Sequence, residues 1–234
     1  MKNNFPLISI IIPVYNRPEI FAKSVQSALA QDYPNVEIII VDDGSNPAIP
    51  LPLDIRDKVK LFRQTNKGAP AARNFGFSKS IGELVFFWDA DTLAEPDLLS
   101  ILKTALENNP DASYAYCDFK FGKKIMRARP FDGVALKKIN YITTGALIRR
   151  QDFLGFDESL TKFQDWDLWL TMLKKNKTGV YVPEILFTCE TGGTMSVWLP
   201  SFAYHAPLTW LPGIRNRVKN YQAAKQMIAE KHDL

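Results

Sequence analysis

Two aspartates with one small residue between them, Asp89-Ala90-Asp91, directly follow the apolar run 84–88. In an extended chain, side chains two positions apart project to the same side, so both carboxylates can face one open oxygen site. Mg²⁺ and Mn²⁺ prefer oxygen ligands and leave room for water and for the phosphate oxygens of a substrate. The same pattern also occurs in turns that cap a following helix, and the motif alone leaves both interpretations open. Its place after a buried apolar run favours the metal site.

A second acidic pair, Asp42-Asp43, follows the apolar run 36–41 and precedes Gly44. Asp-Gly is a turn signal, and either aspartate can be a helix cap. Two adjacent acids at the end of a strand also indicate that at least one of them accepts hydrogen bonds from the base or the ribose of a ligand.

Cationic side chains occur in and next to the small-residue run 68–74. Lys67 and Arg73 lie near the start of a predicted helix, where anions are favoured. A solvated basic face is the alternative interpretation. The small residues around Arg73 predict close packing instead, and they favour an anion-binding role.

A further carboxylate, Asp165, begins a predicted helix and is followed by Trp166. A helix cap and a core tryptophan are the simple interpretation. If Asp165 faces the cleft, it can accept the proton of a substrate hydroxyl as a general base. The residue types alone leave both interpretations open.

The apolar pattern predicts the elements that position these side chains. Strands are expected at 7–12, 36–41, 59–62 and 84–88, and helices at 17–31, 68–80 and 95–108, with a proline-rich loop at 46–52. This alternation predicts an α/β domain with a mostly parallel central sheet flanked by helices on both faces. Ligands gather outside the carboxyl ends of such strands, so both acidic pairs are expected to face one cleft.

The pattern changes after about residue 110. Residues 114–121 alternate weakly, 141–148 and 180–187 are predicted strands, and 162–175 is a predicted helix. An aromatic, proline-containing stretch from Trp198 leads into a basic amphipathic helix at 214–231. We therefore divide the chain into residues 1–110, residues 111–197 and a helical tail, residues 198–234.

Composition narrows the class of protein. The 234 residues are 46% hydrophobic and 23% charged, which is typical of a globular chain with one sizeable core. A net charge of +4 is too small to indicate nucleic-acid binding, but it favours anionic ligands or an anionic membrane surface. Two cysteines cannot form a disulfide framework, and the first apolar run is too short to span a bilayer. We expect a cytoplasmic protein without a transmembrane anchor and without a nucleic-acid partner.

Seven runs, taken in order, resemble the family 2 glycosyltransferases of the GT-A fold. They are residues 10–16, 41–45, 68–74, 88–91, 145–150, 155–158 and 164–169, and together they cover most of the chain. No single run is specific, whereas the ordered set is. The resemblance implies one Rossmann-like domain of the GT-A (nucleotide-diphospho-sugar transferase) fold, in which residues 1–110 bind the nucleotide-sugar and residues 111–197 supply the acceptor site and the catalytic base.

The resemblance also implies a reaction. An inverting glycosyltransferase of the hexosyltransferase type would move a sugar from a nucleoside-diphosphate sugar, by default a UDP-sugar, to an acceptor hydroxyl. Mn²⁺ or Mg²⁺ is the implied cofactor. The implied acceptor is a sugar, a glycan or a lipid-linked sugar, in the synthesis of cell-surface polysaccharide, glycan or glycolipid.

The matched motifs imply roles for individual residues. Asp165 is the implied general base, Asp91 the direct metal ligand, and Asp89 a contact to the ribose or to the metal and its water. The implied nucleotide-binding set, in which Tyr15 stacks on the base and Asp42 accepts from it, is Pro13, Tyr15, Asn16, Arg17, Asp42, Asp43, Lys67, Arg73, Asp89 and Ala90. The implied acceptor-binding set is Thr144, Gly145, Gln164 and Trp166.

The chain departs from the family pattern at two places. Gln164 stands where relatives often have glutamate, so the neighbour of the implied base is neutral. The run 189–196 lacks the histidine that relatives often carry, so the resemblance supplies no third protein ligand for the metal; Glu190 is the alternative nearby.

Two other functions compete with an active transferase. One is a nucleotide-sugar-binding module that has lost turnover, against which the retained Asp89, Asp91, Asp165 and Arg73 argue. The other is a nucleotidyltransferase, which also combines an α/β sheet with acidic metal ligands. Such enzymes usually carry a glycine-rich basic loop after the first strand, where this chain has residues 13–17, Pro-Val-Tyr-Asn-Arg.

The tail has two interpretations. Its basic and apolar positions can form a helix that lies on an anionic membrane, with Trp198, Phe202 and Trp210 at the interface. A terminal helix packed on the domain is the alternative. The first interpretation would make the protein peripheral to the inner face of the cell membrane.

Overall fold

A single mixed β-sheet runs through the part of the chain that the computed structural model describes, residues 5–190 and 212–234. Within these residues, the strands are β1 (Ile8–Val14), β2 (Val36–Asp42), β3 (Lys60–Arg63), β4 (Leu84–Phe87), β5 (Thr92–Ala94), β6 (Tyr114–Phe121), β7 (Lys124–Met126), β8 (Ala146–Arg149) and β9 (Gly179–Cys189). The helices are α1 (Pro18–Leu29), α2 (Ala69–Lys79), α3 (Leu98–Asn108), α4 (Gly133–Lys138), α5 (Gln164–Lys174) and α6 (Pro212–His232).

The first half of the sheet has the parallel arrangement that the alternation of elements predicted. Strands β3, β2, β1 and β4 lie side by side in this order, and every pair among these neighbours is parallel. All seven residues of β1 are buried, because helices cover the sheet on both faces. The carboxyl ends of β1, β2 and β4 therefore meet at one edge of the sheet.

The second half of the sheet is mixed. β8 lies between β4 and β6 and is antiparallel to both, whereas β6 and β9 are parallel. β5 completes the order as an antiparallel neighbour of β9. The α/β class is confirmed, and the parallel pairing is concentrated in the amino-terminal half.

The two faces of the sheet carry separate apolar cores. Alternate residues of β1 divide between them, with Ile10 on the side of α1 and α3, and Ile11 on the opposite side. The second core is rich in aromatic side chains from β4, β6 and α5, and it also includes Ile228 of α6. Burial on both faces explains why the strands read as continuous apolar runs.

Several short elements were not predicted. β5, β7 and α4 have few residues, so hydrophobic periodicity gives them little signal. The predicted strand 141–148 was too long, because regular pairing begins only at Ala146. The preceding residues form an irregular segment, 139–145, which links α4 to β8 and contributes to the candidate site.

Helix α2 lies unusually close to the sheet at Gly76. A β-carbon added there would lie 2.5 Å from Ile11 Cγ2 and 3.2 Å from Val41 Cγ2. Since real side chains do not approach that closely, glycine sets the distance between this helix and the strands. Arg73 lies three positions earlier, on the same face of α2.

The basic tail helix packs on the domain. In α6, Val218, Ile228 and His232 are buried, and Tyr221 contacts Phe163 with ring centroids 5.1 Å apart. Near the end of the helix, Lys231 pairs with both Asp157 and Asp167. The described helices include none that is both long and apolar enough to cross a bilayer. The aromatic stretch from Trp198 to Trp210 lies outside the described residues.

Candidate active site

The loops after β1, β2 and β4 contact one another at the carboxyl edge of the sheet. The backbone N–H of Asn16 donates to Ser45 Oγ at 2.9 Å, and Asn46 N–H donates back to Asn16 Oδ1 at 2.8 Å. Arg17 Nη1 lies 3.1 Å from Asp91 Oδ2. The loop after β1 thus joins the two acidic loops, and the sequence prediction that both lie at one edge is confirmed.

Asp89-Ala90-Asp91 forms a turn between β4 and β5. Thr92 N–H donates to the Asp89 carbonyl at 2.9 Å, which closes a four-residue turn. The sequence-based expectation of an extended Asp-x-Asp segment was therefore wrong in its backbone geometry, because β5 pairs with β9 immediately afterwards. The two carboxylates are nevertheless close enough for the charge of Asp89 to act on Asp91.

Helix α1 fixes this turn through a serine that no motif indicated. Ser24 Oγ donates to the Asp89 carbonyl at 3.1 Å and accepts from the indole N–H of Trp88 at 2.9 Å. Both Ser24 and Trp88 are fully buried. A polar residue on the otherwise apolar face of α1 was the available signal.

The carboxylate of Asp89 has a partner at each oxygen. Its Oδ1 lies 2.6 Å from Arg73 Nη2, and its Oδ2 accepts from Thr144 Oγ1 at 3.2 Å. Thr144 was predicted to bind the acceptor. Its hydroxyl donates to Asp89 in this structure, and its contact with an acceptor stays a prediction.

Arg73 is buried, with 3% of its side chain exposed. Besides Asp89, it donates through Nη1 to Gln164 Oε1 at 3.0 Å, and its guanidinium lies 5.3 Å from the ring centroid of Phe156. The close packing expected around Arg73 is confirmed. Arg73 therefore acts on the cleft mainly by holding Asp89, whose side chain is about one third exposed.

Asp91 carries a carboxyl group with a perturbed pKa. Burial raises this pKa to about 6, and the negative charge of Asp89 adds to the shift, while Arg17 opposes it. Two carboxylates that destabilise each other in a partly buried site are a suitable pair of hard ligands for a divalent cation. Asp89 and Asp91 therefore fit the metal that the motif implied.

A third protein ligand is not evident in the described ranges. No group of three His, Cys, Asp or Glu side chains there is arranged to hold a metal ion. Glu190 lies next to the site, since its backbone N–H donates to the Asp91 carbonyl at 2.9 Å. Burial, followed by the charges of Asp89 and Asp91, raises the pKa of the Cys189 thiol, so this sulfur is a neutral neighbour. Among the described residues, the carboxylate pair thus leaves coordination positions for a substrate.

Asp165 begins α5 and is half-buried. Its Oδ2 accepts from Asn140 Nδ2 at 2.8 Å, and its Oδ1 accepts from the backbone N–H of Trp166 at 2.9 Å. Burial raises the pKa of Asp165, and these two donors and the charge of Arg73 act in the opposite direction. A carboxylate with a raised pKa and free lone pairs has the properties of a general base.

The remaining acceptor-binding predictions fall on packed positions. Trp166 is only 3% exposed and donates its indole N–H to the Leu136 carbonyl at 2.7 Å. Gln164 is buried between Arg73 and the Leu160 carbonyl, which accepts from its Nε2 at 3.0 Å. At Gly145, an added β-carbon would lie 2.7 Å from Phe187 Cζ. These residues are packed in the structure, and their direct contact with an acceptor stays a prediction.

The acidic pair after β2 organises its own loops. Asp42 accepts from the backbone N–H groups of Ser45 at 2.9 Å and Ile49 at 3.3 Å. Asp43 accepts from those of Lys67 at 2.9 Å and Gly68 at 2.8 Å, which leads the chain into α2. Both carboxylates are almost fully buried. Their contact with a ligand base or ribose stays a prediction.

Other residues of the predicted nucleotide set differ in accessibility. Tyr15 is 46% exposed and its ring is free to stack on a planar group. Lys67 is exposed, whereas Pro13 is buried in β1 beside Val41 and Ala90 is buried in the turn. Tyr15, Asn16 and Lys67 are therefore the exposed members of this set.

The amino-acid sequence is similar to those of known proteins over most of its length. The sequence model described as "Glycosyl transferase family 2" matches residues 9–158. An uncharacterised glycosyltransferase of Haemophilus influenzae is 34% identical over 195 residues, which is 76% of this chain and 76% of that protein. One of Rickettsia felis is 33% identical over 210 residues, which is 83% of this chain and 35% of that protein.

Solved structures share the fold, and the predicted GT-A architecture is confirmed by this likeness. Staphylococcus aureus TarS 1-349 in complex with UDP-GlcNAc has a TM-score of 0.65 at 18% identity, over 83% of this chain and 62% of that one. The mannosyltransferase PcManGT from Pyrobaculum calidifontis, in complex with GDP-Man and Mn²⁺, has a TM-score of 0.62 at 20% identity, over 80% and 57%. The chain thus spans less than two thirds of both solved structures and of the Rickettsia relative.

The site and the matches agree with each other. The match to the family begins in β1 and extends past β8, so it includes the turn at Asp89-Ala90-Asp91 and the segment that contacts Asp165. The class of enzyme that the ordered motifs predicted is confirmed as a glycosyltransferase. The chain belongs to glycosyl transferase family 2.

Proposed function

We propose that this chain is an inverting glycosyltransferase that moves a sugar from a UDP-sugar to an acceptor hydroxyl. The observation that carries the proposal is the connection between Asp89 and the start of α5. Arg73 bonds Asp89 with one nitrogen and Gln164, the neighbour of Asp165, with the other. A carboxylate for the donor side and a carboxylate for the acceptor side are thereby held in one network.

The donor is proposed to bind across the loops after β1, β2 and β4. Tyr15 would stack on the base, and the loop at Asp42-Asp43 would accept from it or from the ribose. The UDP and UDP-GlcNAc complexes of TarS support a uridine nucleotide, since that protein shares the fold. The GDP-Man complex of the mannosyltransferase makes GDP the main competitor in a donor test.

Asp91 and Asp89 would hold a divalent metal, Mn²⁺ or Mg²⁺. When bound, such an ion stabilises the negative charge that develops on a departing diphosphate. Arg17 Nη1 lies 3.1 Å from Asp91 Oδ2, so a cation lies beside the carboxylate that would hold the metal and would add to the stabilisation of the diphosphate. The Mn²⁺ in the mannosyltransferase complex supports this assignment.

Asp165 would remove the proton of the acceptor hydroxyl. The oxygen of that hydroxyl forms the new bond to the anomeric carbon while the bond from this carbon to the diphosphate breaks, and the proton passes to the Asp165 carboxylate. One displacement of this kind inverts the configuration at the anomeric carbon. The raised pKa of Asp165, caused by burial, makes it a stronger base than an exposed aspartate.

The decisive test compares the wild type with Asp165→Asn. Calorimetric titration with UDP, GDP and dTDP, with and without Mn²⁺, measures nucleotide affinity, and release of free nucleoside diphosphate from a panel of donors measures turnover. We expect metal-dependent binding of UDP in both proteins and loss of transfer in the variant alone. Undiminished transfer by Asp165→Asn would refute the assignment of the base.

A binding module without turnover is the second function to test. It would bind UDP with Mn²⁺ but release no nucleoside diphosphate from any donor, whereas an active transferase hydrolyses its donor slowly without acceptor. The ordered partners of Asp89 and Asp165 favour the active enzyme, because a site free of selection for catalysis has no need to hold both carboxylates.

We further propose a setting in the synthesis of cell-surface polysaccharide, glycan or glycolipid, on the cytoplasmic side of the cell membrane. The apolar stripe of α6 is used against the domain, so a membrane contact of this helix would depend on exposed charges such as Arg215, Lys219 and Lys225. Co-sedimentation with anionic vesicles should then weaken as salt increases. Binding that is insensitive to salt would contradict this mode of contact.

A further inference from the structure

A hydrogen bond to Asp165 comes from a residue outside the seven matched runs. Asn140 lies in the segment 139–145, and its Nδ2 donates to Asp165 Oδ2 at 2.8 Å. The amide is itself held in place, because its Oδ1 accepts the backbone N–H of Ile142 at 3.3 Å. This second contact assigns the orientation of the amide, so that its NH₂ group faces the carboxylate.

The same segment reaches the carboxylate on the donor side. Four positions after Asn140, Thr144 Oγ1 donates to Asp89 Oδ2 at 3.2 Å. Arg73 links the two sides from another direction, since it bonds Asp89 at 2.6 Å and Gln164, the neighbour of Asp165, at 3.0 Å. The segment 139–145 thus bonds Asp165 near its start and Asp89 near its end.

We propose that Asn140 is a positioning residue for the general base, which holds the Asp165 carboxylate through one oxygen and leaves its unused lone pairs for the acceptor hydroxyl. The inference rests on the proposed role of Asp165. An amide is suited to this task, because it donates a hydrogen bond to the carboxylate without adding a charge that would compete with Arg73. Asn140 itself takes no proton in the reaction.

The electrostatics around Asp165 give the expected direction of change. Burial raises its pKa, and the hydrogen bonds from Trp166 N–H and Asn140 and the charge of Arg73 lower it. Asp167, the other acid in the first turn of α5, is paired with Lys231 and His232. Removal of the Asn140 donor should therefore raise the pKa of Asp165, so that the base becomes protonated at a higher pH.

The experiment compares Asn140→Ala and Asn140→Asp with Asn35→Ala as a control. Asn35 is exposed at the amino-terminal edge of the sheet, and within the described residues its side-chain amide bonds only the Phe5 carbonyl, at 2.9 Å. The measurements are kcat and the donor KM across pH, nucleotide affinity by calorimetry, and thermal unfolding of each protein.

We expect Asn140→Ala to lower kcat near neutral pH by about 10- to 100-fold, the usual range for a lost hydrogen bond to a charged group. The acidic limb of its kcat profile should move to higher pH, and the loss of kcat relative to the wild type should become smaller as pH rises. Asn140→Asp keeps the shape but puts a second carboxylate against Asp165, so its limb should move further. Donor KM and nucleotide affinity should stay near wild type in both variants and in Asn35→Ala.

The possible results separate this inference from the proposed function. If Asp165→Asn is inactive while both Asn140 variants keep the wild-type pH profile, Asn140 does not position the base and the inference is overturned alone. If Asp165→Asn retains transfer, the role of the base fails, and this inference fails with it. Should Asn140→Ala unfold, the nearly isosteric Asn140→Asp decides the question by its pH profile.

Discussion

Arg73 and Asp89 form an ion pair in which the cation is buried and the anion borders the cleft. The Nη2 and Oδ1 atoms lie 2.6 Å apart, and the side chains are 3% and 32% exposed. Such a pair ties the stability of the domain to the geometry of the site, because a buried guanidinium that loses its carboxylate keeps its desolvation cost.

Replacement of Arg73 by lysine should therefore lower both stability and nucleotide affinity. One ammonium group cannot bond Asp89 and Gln164 together in the geometry of a guanidinium. We expect a loss of about 2 kcal/mol in the free energy of unfolding, measured by urea denaturation. Arg56→Lys, at an exposed arginine that bonds the Leu51 carbonyl, is the matched control. Equal losses in the two variants would argue against a special role for this pair.

Gln164→Glu should shift the pH dependence of the reaction. The new carboxylate would lie within reach of Arg73 and next to Asp165, so it would compete with Asp89 for the guanidinium and disfavour ionisation of Asp165. The acidic limb of the kcat profile should move to higher pH. A profile measured between pH 5 and pH 9 tests this, with Gln164→Met separating the loss of the amide from the gain of charge. An unchanged limb in Gln164→Glu would show that the two sites are not coupled.

Binding of Mn²⁺ should weaken as pH falls through about 6. Burial, and after it the charge of Asp89, raises the pKa of the Asp91 carboxyl to about 6, and the metal must displace the proton of this group.

The same shift affects the stability of the metal-free protein. Because folding raises the pKa of Asp91 from its ordinary value of 3.8, the metal-free fold loses stability as pH rises from 3.8 to about 6. Bound Mn²⁺ should offset the loss. Calorimetry and thermal unfolding at several pH values, with Asp91→Asn as the control, measure both effects; pH-independent affinity in the wild type would contradict the role of Asp91.

The sequence located the chemical groups better than it located their partners. Asp89 and Asp91 could be placed at a strand end because β4 is an unbroken apolar run, and Asp165 could be placed at a helix start because α5 has a helical apolar period. The contacts that orient them come from distant positions, such as Ser24 on α1 and Thr144 before β8. No local periodicity reports such long-range hydrogen bonds.

The main differences arise where tertiary packing overrides local pattern. The residue types at Trp166 also allowed a core tryptophan, and in the structure its indole faces α4 and lies in the aromatic core. The basic face of the tail suggested a membrane helix, and the spacing of Val218, Tyr221 and Ile228 is equally the stripe that packs on α5. Periodicity identifies an apolar face, and only the fold shows what covers it.

The packing of the carboxyl-terminal helix α6 against the domain should depend on Lys231. This side chain bonds Asp157 at 2.6 Å and Asp167 at 2.8 Å, and the hydrogen bond from Lys231 is the main reason why the pKa of Asp157 falls to about 2. An acid whose pKa is lowered by folding stabilises the fold above its unfolded value of 3.8, and the contribution is lost as pH falls through about 2.

Lys231→Met should thus lower the free energy of unfolding at pH 7 by about 1 kcal/mol, after allowance for solvent screening. Proteolysis of α6 should also become faster, because its end loses the contact to α5. Lys225→Met, at an exposed position on the same helix, serves as the control. The difference between the two variants should shrink as pH falls towards about 2 and vanish below it; a difference that persists below that pH would mean that Asp157 is not the partner that matters.

The close approach of α2 to the sheet at Gly76 makes the reach of one arginine a property of backbone spacing. A methyl group at Gly76 would press on Ile11 and Val41 and push the helix outward. Arg73 lies on the same face of α2, so its guanidinium would move away from Asp89 together with the helix. A position without a side chain can therefore control where charge lies in the cleft, and loss of function after its substitution would resemble a catalytic defect although no catalytic group had changed.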